Sequence, residues 1–467
     1  MTALERDLAR LLGDAALRLG ALAMPYDHDS TEMQGLRGHA DAVVAPSDAE
    51  SVRSLVAWCA GHHVPIVPRG GGSGFAGGAV PVEGGVVCSL ERLDSVRSFQ
   101  AELWRVEAEA GVTTASLQRM ARRSGVMFPP NPGAAGQSQI GGNIATNAGG
   151  PRSFKYGVTG AYVTGLEAVV GEGDLIRLGG PFRKDVAGYD LVHLLVGSEG
   201  TLGIIVSAWL RLVPAPEAVR VVVSAYPGID DGVEALLRVP GSGLAPATLE
   251  FFDRGCVEAC RATLSLDLPA TTGFLVVSEC DGTEQEAERI AQEVAGALGP
   301  DSLVGIVEGR EGLAELERWR EGIGFAVRAQ LGGKMSEDIA VPLDRLRSAI
   351  VATLEIAERH GLPACSWGHA GDGNVHATFM IDPQSREEVE RAAQAAEELF
   401  ALTLSLGGTA SGEHGLGWVK VAQFDRQFGP VEAELQRRIK SLFDPAGIFN
   451  PGKKVSARRM GAPSASQ

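Results

Sequence analysis

An α+β fold spread over more than one domain is what the sequence predicts, on three observations. The chain has 467 residues, long for one domain, so two or three domains are expected. Strand-like runs alternate with helical ones from residue 41 onward. After the proline-containing stretch "PAPEA" (214–218) the texture shifts to longer strands separated by charged helices. Glycine supplies 61 of 467 residues, about 13% against about 7% on average, so many tight turns or close backbone approaches are required.

Taken in order, "MTALERDLARLLGDAALRLGAL" reads as an amphipathic helix without a signal-peptide core. The protein is therefore expected to be cytoplasmic, with peripheral membrane association only through a partner. "DAVVAP" is a strand. "SDAESVRSLVAWCAGHH" is a helix that Ser47 and Glu50 would open as a capping box and Gly61 would close. "VPIVP" completes a βαβ unit. "RVEAEAG" and "ASLQRMARRSG" repeat strand and helix, with Thr114 as the cap. From 129 to 150, "PPNPGAAGQSQIGGNIATNAGG" has no hydrophobic period and reads as a long binding loop. "GLEAVVG", "LIRLGG" and "GTLGIIVSAWLRLVP" are strands. Beyond 218, "RVVVSAY", "ATLEFF" and "GFLVVSEC" alternate with helices such as "GTEQEAERIAQEVAGAL" and "LAELERWREGIGFAVRAQL". They predict a sheet covered by helices on one side. A last helix, "EAELQRRIKSLF", precedes "DPAGIFNPGK" and a tail expected to be disordered, "SARRMGAPSASQ".

A net charge of −16 argues against nucleic acid as a partner and against a basic membrane-binding face. No apolar run reaches the roughly 18 residues of a membrane span. Cys59, Cys88, Cys256, Cys260, Cys280 and Cys365 show no C-x-x-C or iron–sulfur spacing and read as small buried hydrophobes.

"VPRGGGSGFAGGAVP" carries six glycines between Gly70 and Gly78 and matches G-x-G-x-x-G after a strand. A dinucleotide-binding turn of that kind must open a helix, and here proline and further glycines follow, so that reading is rejected. What remains is a loop whose bare N–H groups can face a pyrophosphate. "GQSQIGGNIATNAGG" offers a second set of backbone donors, and holding phosphate with N–H groups rather than lysines suits so acidic a chain.

In "WGHAGDGNVHATFM", His369 and His376 flank Asp372-Gly373. A two-residue type I′ hairpin turn there would set the imidazoles opposite each other, roughly 5 Å apart at Cβ. That spacing suits one shared metal ion, and suits equally a plain stacked pair.

The motifs "PRGGGSGFAGGAVP", "IGGNIATNAGG", "KDVAGYDLVHLLVGSEGTLGII", "GHAGDGNVH" and "SGEHGLG" stand in this order. Together they make a chain that resembles the FAD-linked D-2-hydroxy-acid dehydrogenases of the vanillyl-alcohol-oxidase flavoprotein superfamily. These include the glycolate oxidase catalytic subunit and the D-lactate and D-2-hydroxyglutarate dehydrogenases. The resemblance implies a helical segment at 1–36, a two-lobed FAD-binding domain at 37–215 and an α+β cap with an antiparallel sheet at 216–420. A helical return to the flavin at 421–457 and a flexible tail at 458–467 would follow. By motif position, Pro68, Arg69, Gly70, Gly71, Gly72, Ser73 and Gly74 would hold the pyrophosphate. Pro132, Gly133, Ser138, Gly141, Gly142, Ala145, Thr146, Gly149 and Gly150 would line the flavin. Gly203 and Ile205 would reach the adenine side, and Asn450 the ring. Relatives with covalent flavin often carry His where this chain has Gly72, which implies non-covalent FAD.

The resemblance also assigns His369, His376 and Glu413 to a divalent metal, zinc first, with manganese or iron as alternatives. Two histidines and a carboxylate leave coordination positions open. His414 would be the general base, Arg320 would fork onto the substrate carboxylate, and Lys334 would assist. The rival expectation for Arg320 is a helix-surface ion pair with Glu317 or Glu321. Where hydroxyglutarate enzymes carry Thr and Asn, this chain has Gly324 and Thr378, which tilts the substrate toward D-lactate or glycolate. The electron acceptor would be a protein or quinone, with an iron–sulfur subunit as one form of partner. Two other classes stay open at this stage: a metallohydrolase with merely structural glycine loops, and a non-catalytic flavin-binding subunit.

Overall fold

The computed structural model describes residues 1–31 and 35–456; the tail expected at 458–467 lies outside the described residues. Among the described residues three larger sheets organise the α+β chain, beside a two-stranded pair of Val126–Met127 with Val213–Pro214. A four-stranded sheet contains β1 (Leu17–Arg18), β2 (Ala42–Val44), β3 (Ile66–Arg69) and β4 (Val86–Ser89) in the order β1-β2-β4-β3. The second contains β5 (Val96–Gln100), β6 (Arg105–Glu109), β7 (Val163–Val170), β8 (Asp174–Gly179) and β9 (Ile204–Arg211), in the order β5-β6-β9-β7-β8, all antiparallel. Their cores are separate. Val44, Leu55, Val56, Ile66, Val86 and Phe449 pack in the first lobe, and Val106, Leu117, Phe128, Leu166 and Leu210 in the second. The C-terminal segment returns to the first lobe, where Phe449 bridges Ile66.

Local details differ from the sequence expectations. The N-terminal helix α1 (Ala3–Leu12) stops at Gly13 (φ +82), and Leu17–Arg18 turns into strand β1 against Val43–Val44. Asp48, rather than Ser47 with Glu50, caps α2 (Ala49–His62) by accepting from Ser51 N, and His63 in the left-handed region ends the helix past Gly61. Thr113, one residue before Thr114, caps α3 (Thr114–Arg123). The stretch 129–150 is not all loop. It contains α4 (Ile140–Thr146), whose buried Ile140 and Ile144, four apart, were hidden by the glycines between them.

The third sheet has seven strands: β10 (Ala218–Tyr226), β11 (Glu250–Asp253), β12 (Phe274–Gly282), β13 (Leu303–Val307), β14 (Gly333–Ala340), β15 (Ala364–Gly368) and β16 (Asn374–Ile381). Their order is β13-β10-β12-β11-β15-β16-β14, and every pairing is antiparallel. Helices cover both faces, not one. On one face, α5 (Ile229–Gly241), α7 (Glu284–Leu298), α9 (Leu346–Arg359) and α10 (Arg386–Ser405) bury Val222, Phe251, Val276, Val375 and Phe379. On the other, α6 (Arg254–Cys260) and α8 (Arg310–Ala329) bury Val221, Phe252, Leu275 and Val277. The strands between the two helix layers read Val221-Val222-Val223 and Leu275-Val276-Val277, continuous apolar runs of the kind a sheet buried on both faces uses. No helix among the described residues is long and apolar enough to cross a membrane. All six cysteines are free and buried.

Candidate functional site

The two glycine segments meet. A Cβ on Gly71 would lie 2.0 Å from Gln137 O, one on Gly70 would lie 3.4 Å from Gly142 Cα, and Gln137 Nε2 donates to Gly71 O at 2.7 Å. Side chains cannot be added where two backbones touch, which is the physical reason for glycine here. Residues 70–85 form no helix. Ser138 is turned inward, with its hydroxyl 2.7 Å from Thr114 Oγ1. Gly141 packs on Ala110, a Cβ on Gly150 would press on Asn131 O with Pro132 N next in line, and Gly133 has open space. Thr146 Oγ1 donates to Gly142 O within α4, and Ala145 O accepts from Glu199 N.

At several of the assigned positions the side chain is engaged by the protein itself. The Arg69 guanidinium lies against Gly72, where a Cβ would be 2.1 Å from Nη2, and donates to the carbonyls of Pro25, His28 and Ala79, tying the N-terminal segment to the glycine loop. Ile205 is buried in the second-lobe core and paired with Ala168 in the sheet, and a Cβ on Gly203 would meet Val169 O at 2.6 Å, so neither position offers a side chain to a cofactor. Asn450 (φ +46) anchors rather than points. Its Nδ2 donates to Gly78 O (2.9 Å) and Glu199 O (2.8 Å), while Lys453 Nζ donates to Gly78 O, Val80 O and Asn450 Oδ1. The end of the glycine loop is thus held by the C-terminal segment.

The histidine pair is close, but the turn is not the expected one. Trp367, not His369, pairs with His376, and Ala370–Asp372 forms a turn of 3-10 helix closed by Gly373 at φ +71. A type I′ turn needs positive φ at both central residues, and here Gly373 has it while Asp372 does not. A Cβ on Gly373 would lie 2.0 Å from Val341 O. His369 therefore follows the end of β15, and its ring meets that of His376 edge to face, with centroids 5.5 Å apart.

Glu413 comes in from the segment after α10. Its Oε1 is 3.8 Å from His369 Nε2, 3.5 Å from His376 Nε2 and 3.7 Å from His414 Nε2. Ligand atoms of His369, His376 and Glu413 all lie within 4.8 Å of one another. Burial works against charge on His369, but Glu250 and Glu413 on either side outweigh it and push the imidazole up to about 10. Burial pushes His376 down to about 4, with Glu413 opposing. Glu413, disfavoured as an anion by burial, is nonetheless held down to about 2 by His369, His376 and His414. The carboxylates thus demand a positive charge between them, and with two imidazoles beside it the donor set fits a divalent ion.

The site meets the glycine loops directly. A Cβ on Gly149 would lie 3.0 Å from Glu413 Oε2, and the Phe75 ring stands 4.9 Å from that of His414. Arg320 makes neither of the surface pairs expected of it. It is turned inward, its Nη1 3.1 Å from Glu250 Oε2 and 3.4 Å from Glu279 Oε1. Lys334 lies 4.8 Å from the Trp367 ring centroid, with Ser336 Oγ at 3.3 Å, and burial lowers its pKa.

Several residues of the site escaped the sequence reading. Buried Asp338 accepts from Asn374 Nδ2, Ser411 Oγ, Glu413 N and His414 N, which fixes the loop that presents Glu413 and His414. Glu199 accepts from the N–H groups of Leu416 and Gly417. Arg152 contacts Glu279, and Lys155 and Tyr156 contact Asp281, fastening the flavin side to the cap. A local signal exists for Glu250, a carboxylate between Leu249 and Phe251, but not for Asp338, which sits in the polar strand "GKMSEDIA".

Fold and site define a flavin-dependent oxidoreductase. Residues 40–179 match the family described as FAD binding domain, and residues 215–454 match FAD linked oxidases, C-terminal domain. The chain belongs to this FAD-linked oxidase family. It is 35% identical over 431 residues to glycolate oxidase subunit GlcD of Bacillus subtilis, covering 92% of this chain and 91% of that one. It is 37% identical over 417 residues to a D-lactate dehydrogenase of Archaeoglobus fulgidus, covering 88% and 91%. Its fold is similar to that of p-cresol methylhydroxylase (TM-score 0.77, 18% identity, 98% of each chain), a vanillyl-alcohol-oxidase-type flavoprotein. The FAD-binding and FAD-linked-oxidase matches speak against the metallohydrolase alternative.

Proposed function

We propose that the protein oxidises a D-2-hydroxy acid, D-lactate or glycolate, to the 2-oxo acid. The observation that carries this is the contact of the His369, His376, Glu413 and His414 cluster with the glycine segments through Gly149 and Phe75. Bound FAD supplies a hydride acceptor, and a divalent ion, zinc first, supplies a Lewis acid that lowers the substrate hydroxyl pKa. His369, His376 and Glu413 hold the ion. His414 Nε2 takes the hydroxyl proton. Arg320, with only Nη1 engaged by carboxylates, orients the substrate carboxylate, and Lys334 assists. The names of the relatives support the substrate class. Electrons then leave to a protein or quinone acceptor, an iron–sulfur subunit being one form of it.

FAD is held non-covalently, because Gly72 offers no side chain for attachment. Acid precipitation is expected to release all the flavin colour; colour left on the polypeptide refutes it. A second reading, a D-2-hydroxyglutarate dehydrogenase, is favoured by one feature: no carboxylate among the described residues pairs with Lys334, leaving its ammonium for a second substrate carboxylate. One experiment tests both. Flavin bleaching is followed anaerobically with D- and L-lactate, glycolate and D-2-hydroxyglutarate. Rapid bleaching by D-lactate or glycolate is expected. Equal bleaching by L-lactate overturns the stereochemical part, and preference for hydroxyglutarate selects the second reading.

A further inference from the structure

Glu250 sits on β11, on the sheet face that also carries His376 and Lys334, and is 3% exposed. Its two oxygens look in two directions. Oε1 is 3.2 Å from Nδ1 of His369, within ion-pair range although the ring N–H is not lined up on it, and Oε2 accepts from Nη1 of Arg320 at 3.1 Å. Both partners are largely buried, at 12% and 14% side-chain exposure, so solvent screens neither contact strongly. The other ring nitrogen of His369, Nε2, is the one on the Glu413 side.

From this geometry we infer that Glu250 is a positioning residue, holding with one carboxylate both a metal-binding histidine and the substrate-binding arginine. The inference rests on the proposed function. A carboxylate at Nδ1 keeps the imidazole proton there, which leaves the Nε2 lone pair for an ion and fixes the ring plane. The other oxygen ties Arg320 at Nη1 and leaves the rest of its fork for substrate. Two donors approaching from different sides need two acceptor oxygens. A glutamine in this place has an amide NH2 where one of the two donors needs an acceptor, which is a reason for a carboxylate between Leu249 and Phe251. The distance between the ion and the substrate carboxylate is thereby set by a single residue of a rigid strand.

The test uses the FAD-loaded protein and reads zinc affinity by competition with a coloured chelator, alongside kcat and KM for the acid that bleaches the wild type. Glu250→Ala is expected to weaken zinc binding by about 10–100-fold. At saturating zinc it should raise KM more than it lowers kcat, with the flavin spectrum unchanged. Glu250→Asp, which keeps the charge, should recover part of both losses. Wild-type zinc affinity in Glu250→Ala overturns the inference, even if KM moves, because Glu250 would then be no more than a counter-ion for Arg320. Should Glu250→Ala lose FAD, Glu250→Gln decides: its amide NH2 would face one of the two donors, so zinc affinity or KM must worsen, and both unchanged overturns the proposal. A wild type that takes up no divalent ion removes the metal assignment and this role together. Uptake that is equal in wild type and variant removes only the role of Glu250.

Discussion

The two faces of the seven-stranded sheet come from the same strands, residue by alternate residue, yet they do different work. Toward α5, α7, α9 and α10 point Val222, Phe251, Val276, Ile339, Val375, Ala377 and Phe379, all of them buried in one apolar core. The alternate positions begin the same way, with Val221, Val223, Leu275 and Val277 under α6 and α8. Toward β14 and β16 they turn polar: Glu279 and Glu250, then Trp367, His376, Thr378, Lys334, Ser336 and Asp338. A strand alternates sides every residue, so one sheet can spend one face on stability and part of the other on chemistry without changing its backbone. The lesson is that the polar face is rigid because the opposite face is packed.

The largest break in this comparison should come from the polar side. His369→Ala removes an ion ligand while leaving the glycine loops intact, so the FAD spectrum should persist. Metal content by elemental analysis should fall and turnover should collapse. Chelator treatment of the wild type should reproduce the loss, with activity returning on adding a divalent ion. Bound metal that survives His369→Ala would show the cluster is not the site. Next comes His414→Ala, expected to keep FAD and metal but slow flavin reduction by about 10²–10⁴-fold, the usual share of a general base. Stopped-flow rates within a few-fold of wild type would remove His414 from that role.

On the apolar face the effect should be on stability instead. Phe379 is fully buried, and Phe379→Ala should cost about 3–5 kcal/mol. Denaturant midpoints would show this, while the protein still folded should bind metal as before. A metal loss equal to that of His369→Ala would mean that the two faces are not separable.

The smallest expected effect concerns Asp253, at the end of β11. Its carboxyl is pushed up to about 7 by burial, against the opposing hydrogen bonds from Cys256 N and Ser366 N. A raised folded-state value means that the folded protein binds this proton more tightly than the unfolded chain does. Stability is therefore lost as pH rises from about 4 to 7 and is regained on going down. Asp253→Asn cannot titrate, so the wild-type melting temperature should gain on the variant's as pH falls through that window. A constant difference between the two would contradict the shift.

How much of this was legible beforehand depends on range along the chain. The glycine loops, the histidine pair and the strand–helix alternation are local patterns, and each could be read from a dozen neighbours. Sequence reading went wrong where a tertiary partner made the choice. The turn after His369 follows Gly373 packed against Val341, not the local preference of Asp-Gly. For Arg320 the rival expectation, a surface ion pair with Glu317 or Glu321, gives way to contacts with Glu250 and Glu279 from distant strands. Arg69, placed by motif at a pyrophosphate, spends its guanidinium on the carbonyls of Pro25, His28 and Ala79.

By itself the sequence determined the α+β class and the glycine-lined backbone segments, and the resemblance its motifs carry singled out His369, His376, Glu413 and His414 as candidates. These follow from residue type, period and motif order, which need no knowledge of what lies across the fold. Tertiary structure alone decided which carboxylates surround them. Glu250 reaches His369 across the sheet, Asp338 holds the backbone of Glu413 and His414 from another strand, and Gly149 brings the flavin side against Glu413. The reason is that charge interactions act through space and depend on burial. A carboxylate far away in the chain but about 3 Å away in the fold leaves no local mark except, for Glu250, its place between Leu249 and Phe251.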